Sequence, residues 1–434
     1  MSSLFGGVLG ALAAVIILLV SFSSFGSEEF SVLPKSLRGI ADLTNSAKLD
    51  SKLPLSAPSW VAHISDDERV INSLRVVGDK VSFRNYNSVV DLSTGYYGTF
   101  SPSVDDVANV NSEHWILSAS HKGTTLSLVN DDQKIVQQLS GFPDYFGPNH
   151  RCVLNNQNRL LVDTYFNNTM AEFYIDSANS ANVMAETWKF KDQFAKYVVA
   201  SSGSKYGLLY ETGDSEFWAE FTTISTSAFP TGYSLPSRFQ PQNVFEFNGN
   251  FYFVQSGFFT AKIAKLIGDG PEFKVLTVES ALDSFQGGCG DTLLYGDKHQ
   301  ILAFDSDLNP KWAKSVAIND FNDDPGLYSV GMFCSNDKKT AYIHYMIDGG
   351  LVEDILLVKL DLSPTSTLGK SQSLVQISPK TFPSVSTEQM SGGSVTHSLS
   401  DAVQYGTFEL SQKVGDLGEL KYSQGTETFQ PEDQ

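Results

Sequence analysis

Residues 291–312 read DTLLYGDKHQILAFDSDLNPKW, and this stretch decides the fold class. Two short apolar runs, LLY and ILAF, are separated by the polar segment GDKHQ and followed by a second turn rich in Asp and Asn. Short runs of Leu, Ile, Phe and Tyr bounded by Gly, Asn and Asp are typical of strands joined in a β-hairpin. The stretch therefore predicts a strand, a tight turn and a second strand.

The same strand–turn–strand pattern occurs seven times, with successive starts 37 to 48 residues apart. The copies start at Leu74, His114, Asn158, Lys196, Asn243, Asp291 and Tyr328. One hairpin cannot bury both of its faces, so the copies must pack side by side. A period of about 40–45 residues with four strands per repeat is typical of β-propellers. Tandem sandwiches need not repeat one pattern at near-constant spacing, and a parallel β-helix needs shorter coils. We predict an all-β fold, a β-propeller of four-stranded blades.

The predicted propeller spans residues 59–420. Seven copies reach about residue 367, and Val395–Gln412 adds further strand pattern. That segment could complete the ring together with Trp60–Ile64, or it could belong to an eighth blade, so the sequence leaves seven and eight blades open. Residues 421–434 end in GTETFQPEDQ, which is polar and acidic, and we predict a disordered tail there.

Two copies resemble the quinoprotein-type (PQQ-type) propeller repeat, in which a strand ends in an Asp-containing turn and a Trp follows. VVDLSTG supplies Asp91, Thr94 and Gly95 without the Trp, and ILAFDSDLNPKW supplies Asp305 and Trp312 without a Thr-Gly pair. The resemblance implies a propeller in which Trp312 packs between neighbouring blades. The family's dehydrogenases carry adjacent cysteines near their quinone, which this chain lacks, so no quinone cofactor is expected. The Gly-His and Trp-Asp marks of WD40 repeats are absent.

A membrane segment is predicted within residues 1–26. No charged residue precedes Glu28, and Leu4–Phe25 is apolar or small throughout. Roughly 20 helical residues at about 1.5 Å per residue cross the ~30 Å hydrocarbon layer, so this stretch is long enough to span it. Its length and its lack of a basic n-region favour a retained transmembrane helix. The alternative is a signal peptide cleaved near Gly26, which would release a secreted protein.

Residues 27–58 are predicted to be a stalk, with a short amphipathic helix from Ser36 to about Lys52. Because no basic cluster follows the membrane segment closely, the bulk of the chain is expected on the extracytoplasmic side. Gly6 and Gly10 form a G-x-x-x-G pair, a spacing that would let two spanning helices approach as a homodimer.

Composition excludes several classes of protein. The 434 residues are 41% hydrophobic and 12% aromatic, which is enough for a buried core. Lys plus Arg number 30 against 49 Asp plus Glu, for a net charge of −19. That charge would repel nucleic acid and anionic lipid headgroups, so neither is expected as a partner of the folded domain.

The three cysteines are too few for a disulfide scaffold. Cys289 and Cys334 are 45 residues apart, close to one repeat, so they could bridge neighbouring repeats. Two buried free thiols are the alternative.

The best chemical candidate is the acidic loop NDFNDDPG, where Asp320, Asn322 and Asp324 have the one–three–five spacing of a calcium loop. Pro325 stands where such loops need Gly, so a solvated turn is the alternative reading. Asn167 begins an Asn-Asn-Thr sequon, which predicts glycosylation in a cell that glycosylates secreted proteins.

The sequence carries no catalytic signature. Neither G-x-S-x-G nor H-E-x-x-H occurs. We therefore expect a non-enzymatic binding or scaffold module without a cofactor other than calcium, in which rigid blades present loops to a protein or glycan partner. The alternative is an extracytoplasmic hydrolase acting on glycans, with carboxylates from different blades meeting at the central channel.

Overall fold

The structure, a computed structural model, describes residues 59–428 apart from short segments. Those segments are residues 67–73, 78–79, 84–87, 93, 102–105, 111–112, 121–122, 131, 144–149, 165–168, 175–181, 191–196, 213–214, 225–231, 258, 269–270, 281–283, 319–326, 336–337, 349–352, 369–374 and 394–402. The predicted membrane segment and stalk, residues 1–58, also lie outside the described residues. The described residues form strands and no helix, which confirms the all-β class.

The first 28 strands of the described chain group into seven four-stranded antiparallel units. The chain enters with β1 (Trp60–Asp66), which belongs to the seventh unit. The first unit contains β2 (Leu74–Val77), β3 (Lys80–Phe83), β4 (Ser88–Asp91) and β5 (Tyr96–Ser101), the second contains β6 (Asp106–Val110), β7 (Glu113–Ser120), β8 (Gly123–Val129) and β9 (Ile135–Ser140), and the third contains β10 (His150–Leu154), β11 (Arg159–Thr164), β12 (Thr169–Tyr174) and β13 (Asn182–Phe190). The fourth unit contains β14 (Tyr197–Ser202), β15 (Lys205–Thr212), β16 (Ser215–Phe221) and β17 (Gly232–Ser234), and the fifth contains β18 (Asn243–Phe247), β19 (Asn250–Gln255), β20 (Thr260–Ile267) and β21 (Glu272–Glu279). The sixth unit contains β22 (Phe285–Cys289), β23 (Thr292–Gly296), β24 (Gln300–Phe304) and β25 (Pro310–Ile318), and the seventh adds β26 (Leu327–Cys334), β27 (Thr340–Asp348) and β28 (Glu353–Asp361) to β1.

The units have a propeller-like arrangement. The first strands of successive units contact one another, from β2 through β6, β10, β14, β18 and β22 to β26. Each fourth strand lies at the opposite edge of its four-stranded unit. The seven hairpins predicted from the sequence fall in seven different units, because each hairpin is part of one antiparallel meander.

The middle strands of the sixth unit are buried on both faces. Every residue of β23 and β24 is buried, which explains why LLY and ILAF are continuous apolar runs without alternation. One apolar cluster joins the fifth and sixth units, with Tyr252 and Ile263 on one side and Leu293 and Leu302 on the other. Such shared clusters hold the units together through side-chain burial, worth about 25 cal/mol per Å² of apolar surface.

After β28 the chain turns back and runs along the outer edges of the units; we call residues 375–428 the strap. Its strands are β29 (Val375–Lys380), β30 (Ser386–Ser391), β31 (Val403–Val414) and β32 (Lys421–Thr428). β29 pairs with β25, β30 pairs with β21, β31 pairs with both β13 and β9, and β32 pairs with β5. Between β30 and β31, Gly393 bridges to Ser234 in the fourth unit. The strap therefore pairs with the outer strands of units six, five, four, three, two and one, in that order along the chain. β31 joins units two and three into one nine-stranded sheet.

Two expectations from the sequence are wrong here. Val395–Gln412 does not complete the ring with Trp60–Ile64, because β1 pairs with β28 whereas the described part of the segment, residues 403–412, belongs to β31 between β13 and β9. Residues 421–428 are also not a disordered tail, since they form β32. An outer strand leaves a row of backbone N–H and C=O groups unpaired, and the strap pairs them with its own backbone. Sparse apolar side chains of the strap, such as Leu410 and Leu420, are buried and hold it in place.

Candidate functional site

The strongest candidate site in the described chain is a cleft at one end of the fifth and sixth units. In an antiparallel meander, alternate connections lie at the same end of the sheet. The β19–β20 connection, the β21–β22 connection and the β23–β24 turn therefore meet at one end of these two units. They line a shallow, open cleft of about 680 Å³. Its lining consists of Phe259, Thr260, Glu279, Ser280, Asp297, His299 and Gln300.

The floor of the cleft is polar and internally hydrogen-bonded. Asp297 is 1% exposed, and its Oδ1 accepts hydrogen bonds from the backbone N–H groups of His299 (2.7 Å) and Gln300 (3.0 Å). Ser280 Oγ lies 2.5 Å from the hydroxyl of Tyr295 and 3.4 Å from Asp297 Oδ2. The Asp297 carboxylate therefore stabilises the β23–β24 turn.

Gln300 ties the floor to both the fifth unit and the strap. Its Nε2 donates to the carbonyl oxygen of Glu279 at 2.6 Å, and its Oε1 accepts a hydrogen bond from Lys380 Nζ at 2.8 Å. Lys380 is the last residue of β29, so the strap contributes directly to the support of the cleft. These bonds fix the distance between the two walls.

The rim of the cleft is exposed and carries one large aromatic side chain. Phe259 is 85% exposed, although its carbonyl oxygen is held at 3.1 Å by the backbone N–H of Ser280. Beside it, Glu279 and His299 are also exposed. A fixed backbone that presents an exposed phenyl ring and a carboxylate next to a preformed hollow is suited to binding.

The phenol groups of Tyr295 and Tyr345, which lie under the cleft, remain uncharged at neutral pH because their pKa values are raised. Burial raises the pKa of Tyr295 to about 12, although hydrogen bonds to Ser280 and Ser284 lower this pKa in part. Burial likewise raises the pKa of Tyr345, with a smaller contribution from Asp297. A phenol with a raised pKa is a poor base or nucleophile, and the Asp297 carboxylate is already engaged by backbone donors. We find no nucleophile–base pair in the described lining of this cleft, and across the described chain no three His, Cys, Asp or Glu side chains gather as metal ligands.

The sequence-predicted site residues are not part of this cleft. Asp320, Asn322 and Asp324 lie between β25 and β26, and Asn167 lies between β11 and β12, in both cases outside the described residues. In the structure Cys289 and Cys334 form a disulfide that joins the first strands of the sixth and seventh units.

The two turns that carry the family resemblance act as turn-forming elements. Asp91 Oδ1 accepts a hydrogen bond from Thr94 N at 3.2 Å. Asp305 Oδ1 accepts from Asp307 N and Asn309 N, at 2.8 and 2.9 Å. The indole of Trp312 lies under the amine of its own strand neighbour, with Lys314 Nζ 5.1 Å from the ring centroid. Ordinary turn chemistry explains both motifs, so the resemblance to the quinoprotein-type repeat stays a prediction.

The cleft itself was missed by sequence reasoning. Its residues come from two units and three connections, and only strand register brings them together. The doublet Phe258-Phe259 in a turn-like context is the one sequence signal that could have drawn attention to the rim.

The part of the chain that the structure describes contains no helix long and apolar enough to cross a bilayer.

No protein-family model and no curated protein matches the chain. Among solved structures, it is similar to the WD40 domain of coronin from Toxoplasma gondii, with a TM-score of 0.29 and 8% sequence identity. That match covers 86% of this chain and 91% of the other. At this level the likeness carries no argument about function, and the propeller-like assignment depends on the order of the chain's own strands.

Proposed function

We propose that this chain is a membrane-tethered, extracytoplasmic β-propeller whose seven units are its blades, and that it binds a protein partner through the cleft between the fifth and sixth units. The observation that carries the proposal is Phe259, whose ring is 85% exposed at the rim of a cleft with a rigid floor. Burying a phenylalanine is worth about 1.5–3 kcal/mol, and a partner would recover that free energy.

The charge around the cleft argues for a partner with a basic side chain next to an apolar one. Glu279 is exposed beside Phe259, and the whole chain has a net charge of −19. Such a field accelerates encounter with cationic surfaces and repels anionic ones. A basic residue of the partner would approach Glu279 while its apolar neighbour covers Phe259. A neutral glycan stacking on the ring is the other outcome that the experiment must distinguish.

Two features support the extracytoplasmic location. The first is the uncharged apolar segment that precedes Glu28. The second is the Cys289–Cys334 disulfide, because disulfides persist in oxidising compartments and are rare in the cytosol. A protease-protection assay on intact cells that express the full chain tests this part of the proposal. Digestion of the propeller from outside is expected, and complete protection would contradict the orientation.

The binding proposal is tested by comparing Phe259→Ser with a matched control, Ile267→Ser. Both side chains are exposed apolar groups at the ends of β20, since Phe259 directly precedes the strand and Ile267 is its last residue, but only Phe259 lines the cleft. Full-length wild-type and variant chains are displayed on cells, crosslinked, and their protein and glycan partners are identified. A purified partner is then titrated against each variant.

The proposal predicts that Phe259→Ser weakens the purified partner's affinity by roughly 10- to 100-fold, the equivalent of about 1.5–3 kcal/mol. Ile267→Ser should leave the affinity within about twofold. Equal affinity for all three chains would contradict a role for the cleft. If the chain binds glycans on an array but no protein partner is found, the ligand of the cleft is a glycan and the proposed protein partner is wrong.

Three smaller proposals come from the sequence. Calcium at Asp320, Asn322 and Asp324 would raise the melting temperature of the chain relative to a chelated sample. Glycosylation at Asn167 would be lost in Asn167→Gln, with a gain in gel mobility. Dimerisation through Gly6 and Gly10 predicts a dimer in mild detergent that Gly6→Leu converts to a monomer.

A further inference from the structure

The outer edge of β1, which is the fourth strand of the seventh unit, has no partner strand among the described residues. On its inner side β1 pairs with β28 from Trp60 to Asp66. In each of the other six units the strap pairs with the fourth strand, through a strap strand or, in the fourth unit, through the bridge between Ser234 and Gly393. The backbone N–H and C=O groups on the outer side of β1 are thus the row that the described strap leaves open.

The sequence of β1 also differs from that of the strap strands that are outermost in their sheets. Natural edge strands carry Lys, Pro or a bulge, which discourage pairing with a further strand. β29 contains Pro379 and Lys380, and β32 contains Lys421 and a shift of register. β1 reads WVAHISD, and it contains neither Lys nor Pro nor a register shift. This composition is typical of a strand with neighbours on both sides.

The strap runs in the same direction along each unit, antiparallel to the fourth strand and from that strand's last residue toward its first. The third and first units show this along the whole fourth strand. The pairs are Val403 with Phe190 and Ser411 with Asn182 in the third unit, and Lys421 with Ser101 and Thr428 with Tyr96 in the first. At Thr428 the strap therefore lies opposite the first residue of β5, where it leaves the first unit.

The crossing from one unit to the next takes few residues of the strap. Three of the five crossings advance by two residues or fewer along the chain. Ser411 pairs with the third and second units at once, and the other two short crossings run from Ser391 to Gly393 and from Glu419 to Lys421. In all three the strap meets the next fourth strand at its last residue, which is Ser140, Ser234 or Ser101.

The unit that follows the first along the path of the strap is the seventh. β1 leads into β2 through residues 67–73, a link of seven residues, and the other links from a fourth strand to the following first strand contain four to nine. The seventh unit therefore precedes the first as the first precedes the second. Because the strap passes from the sixth unit down to the first, the fourth strand that it would meet beyond Thr428 is β1, at Asp66.

We propose that residues 429–434, FQPEDQ, continue the strap and pair antiparallel with β1, so that the strap pairs with the outer strand of all seven units. A crossing of at most two residues places residue 428, 429 or 430 opposite Asp66, and residue 434 then lies opposite a residue in the range 60–62. Pro431 fits an outermost strand, because the side that lacks an N–H can face outward. The pairing joins the first strand of the described chain to the far end of the strap.

The test is a cysteine scan in the full-length chain, with His63→Cys in the middle of β1 and a second cysteine at each of positions 430–434 in turn. Residues directly opposite in an antiparallel pair have Cα atoms about 4.5–5.5 Å apart, a distance that a disulfide spans. The three registers place residue 431, 432 or 433 opposite position 63. After mild oxidation we therefore expect, by peptide mapping, an intrachain disulfide concentrated at one of these three positions.

The matched control combines His63→Cys with Lys413→Cys, because Lys413 lies in the strap at the second unit. It should give no such disulfide. Linkage that is absent at all five scanned positions, or equal at all of them, would overturn the proposal. So would a disulfide between two chains that carry His63→Cys alone, since a second copy would then occupy the edge of β1.

A second measurement compares hydrogen exchange in the unsubstituted full-length chain and in a chain that stops at Thr428. A strand paired on one side protects roughly half of its N–H groups, whereas a strand paired on both sides protects nearly all of them. We expect the outward amides of β1 to exchange at least about tenfold faster in the shortened chain. Exchange in β5 should not change, which shows that β32 remains paired. Identical exchange of β1 in the two chains, or protection that depends on protein concentration, would contradict the proposal.

Discussion

Replacing Leu410 by alanine should detach the strap from the second and third units. Leu410 is fully buried in β31, within an apolar cluster formed by the second and third units that includes Leu139, Leu160 and Phe173. A buried Leu→Ala change costs about 2–5 kcal/mol, of which part is the cavity that remains. Taking about 3 kcal/mol, the opening equilibrium of the strap should rise roughly 100-fold.

Hydrogen exchange measured by mass spectrometry is the suitable assay, because it resolves local opening from global unfolding. Residues 403–411 of β31 pair with the whole of β13, and residues 411–414 pair with β9. Faster exchange is therefore expected in all three strands at once, with little change in β23 and β24, which do not pair with β31.

Val414→Ala is the matched control, since Val414 lies in the same strand but is 50% exposed. Exposed substitutions of this kind usually stay within about 0.5 kcal/mol. If Leu410→Ala accelerates exchange no more than Val414→Ala, or if β31 exchanges alone while β9 and β13 stay protected, the strap does not join these units as described.

Three further predictions concern the units themselves. Lys314 is fully buried, and burial lowers its pKa to about 8. Because the unfolded chain then binds more protons than the folded chain between pH 8 and about 10.5, the free energy of unfolding of the wild type should rise by up to about 3 kcal/mol relative to Lys314→Met across that range. Equal pH profiles in urea melts would contradict this. Gly288→Ala would drive a methyl group into the ring of Phe247 between the fifth and sixth units, and should cost about 1–3 kcal/mol, of which the double variant with Phe247→Leu recovers a part; no recovery would mean that the two residues do not meet. The Cys289–Cys334 disulfide closes a loop of 45 residues and should contribute about 4 kcal/mol to the free energy of unfolding. A reductant should therefore lower the urea midpoint of the wild type to that of Cys289→Ser, whose own midpoint should not change. A wild-type midpoint that is insensitive to the reductant would argue against the bond.

The repeating core of this fold is readable from sequence because each hairpin carries its own local signal. Asp305 shows why: its carboxylate binds two backbone N–H groups of the same turn, so turn, strand ends and register are specified within a few residues. The same holds for Asn155, whose side chain accepts from Gln157 N and Arg159 N. Local chemistry of this kind repeats with the period of the units, and the period predicts the fold.

The strap is not readable in the same way. β30 has the sequence STEQMS and is exposed at five of its six residues, so it carries no apolar pattern that would identify it as a strand. Its conformation depends on β21, more than a hundred residues earlier in the chain, which supplies the hydrogen bonds. A segment stabilised by long-range backbone pairing looks like a polar tail in the sequence, which is why the sequence predicts disorder where β32 forms.

The cleft is unreadable for a related reason. Phe259, Ser280 and Gln300 belong to different connections, and no spacing rule links them. Their proximity follows from the antiparallel pairing of β20 with β21 and from the packing of the sixth unit against the fifth. The sequence predicts that loops bind a partner, but which loops lie together can be identified only once the strand register is known.

The central claim, that a partner binds at the cleft between the fifth and sixth units, is tested most directly by a hydrogen-exchange footprint of the full-length chain with its purified partner. We predict that exchange slows in peptides covering residues 256–260 and 297–300, and that Phe259→Ser abolishes this protection at the same concentrations. Protection confined to another pair of units, with these two segments unchanged, would contradict the claim.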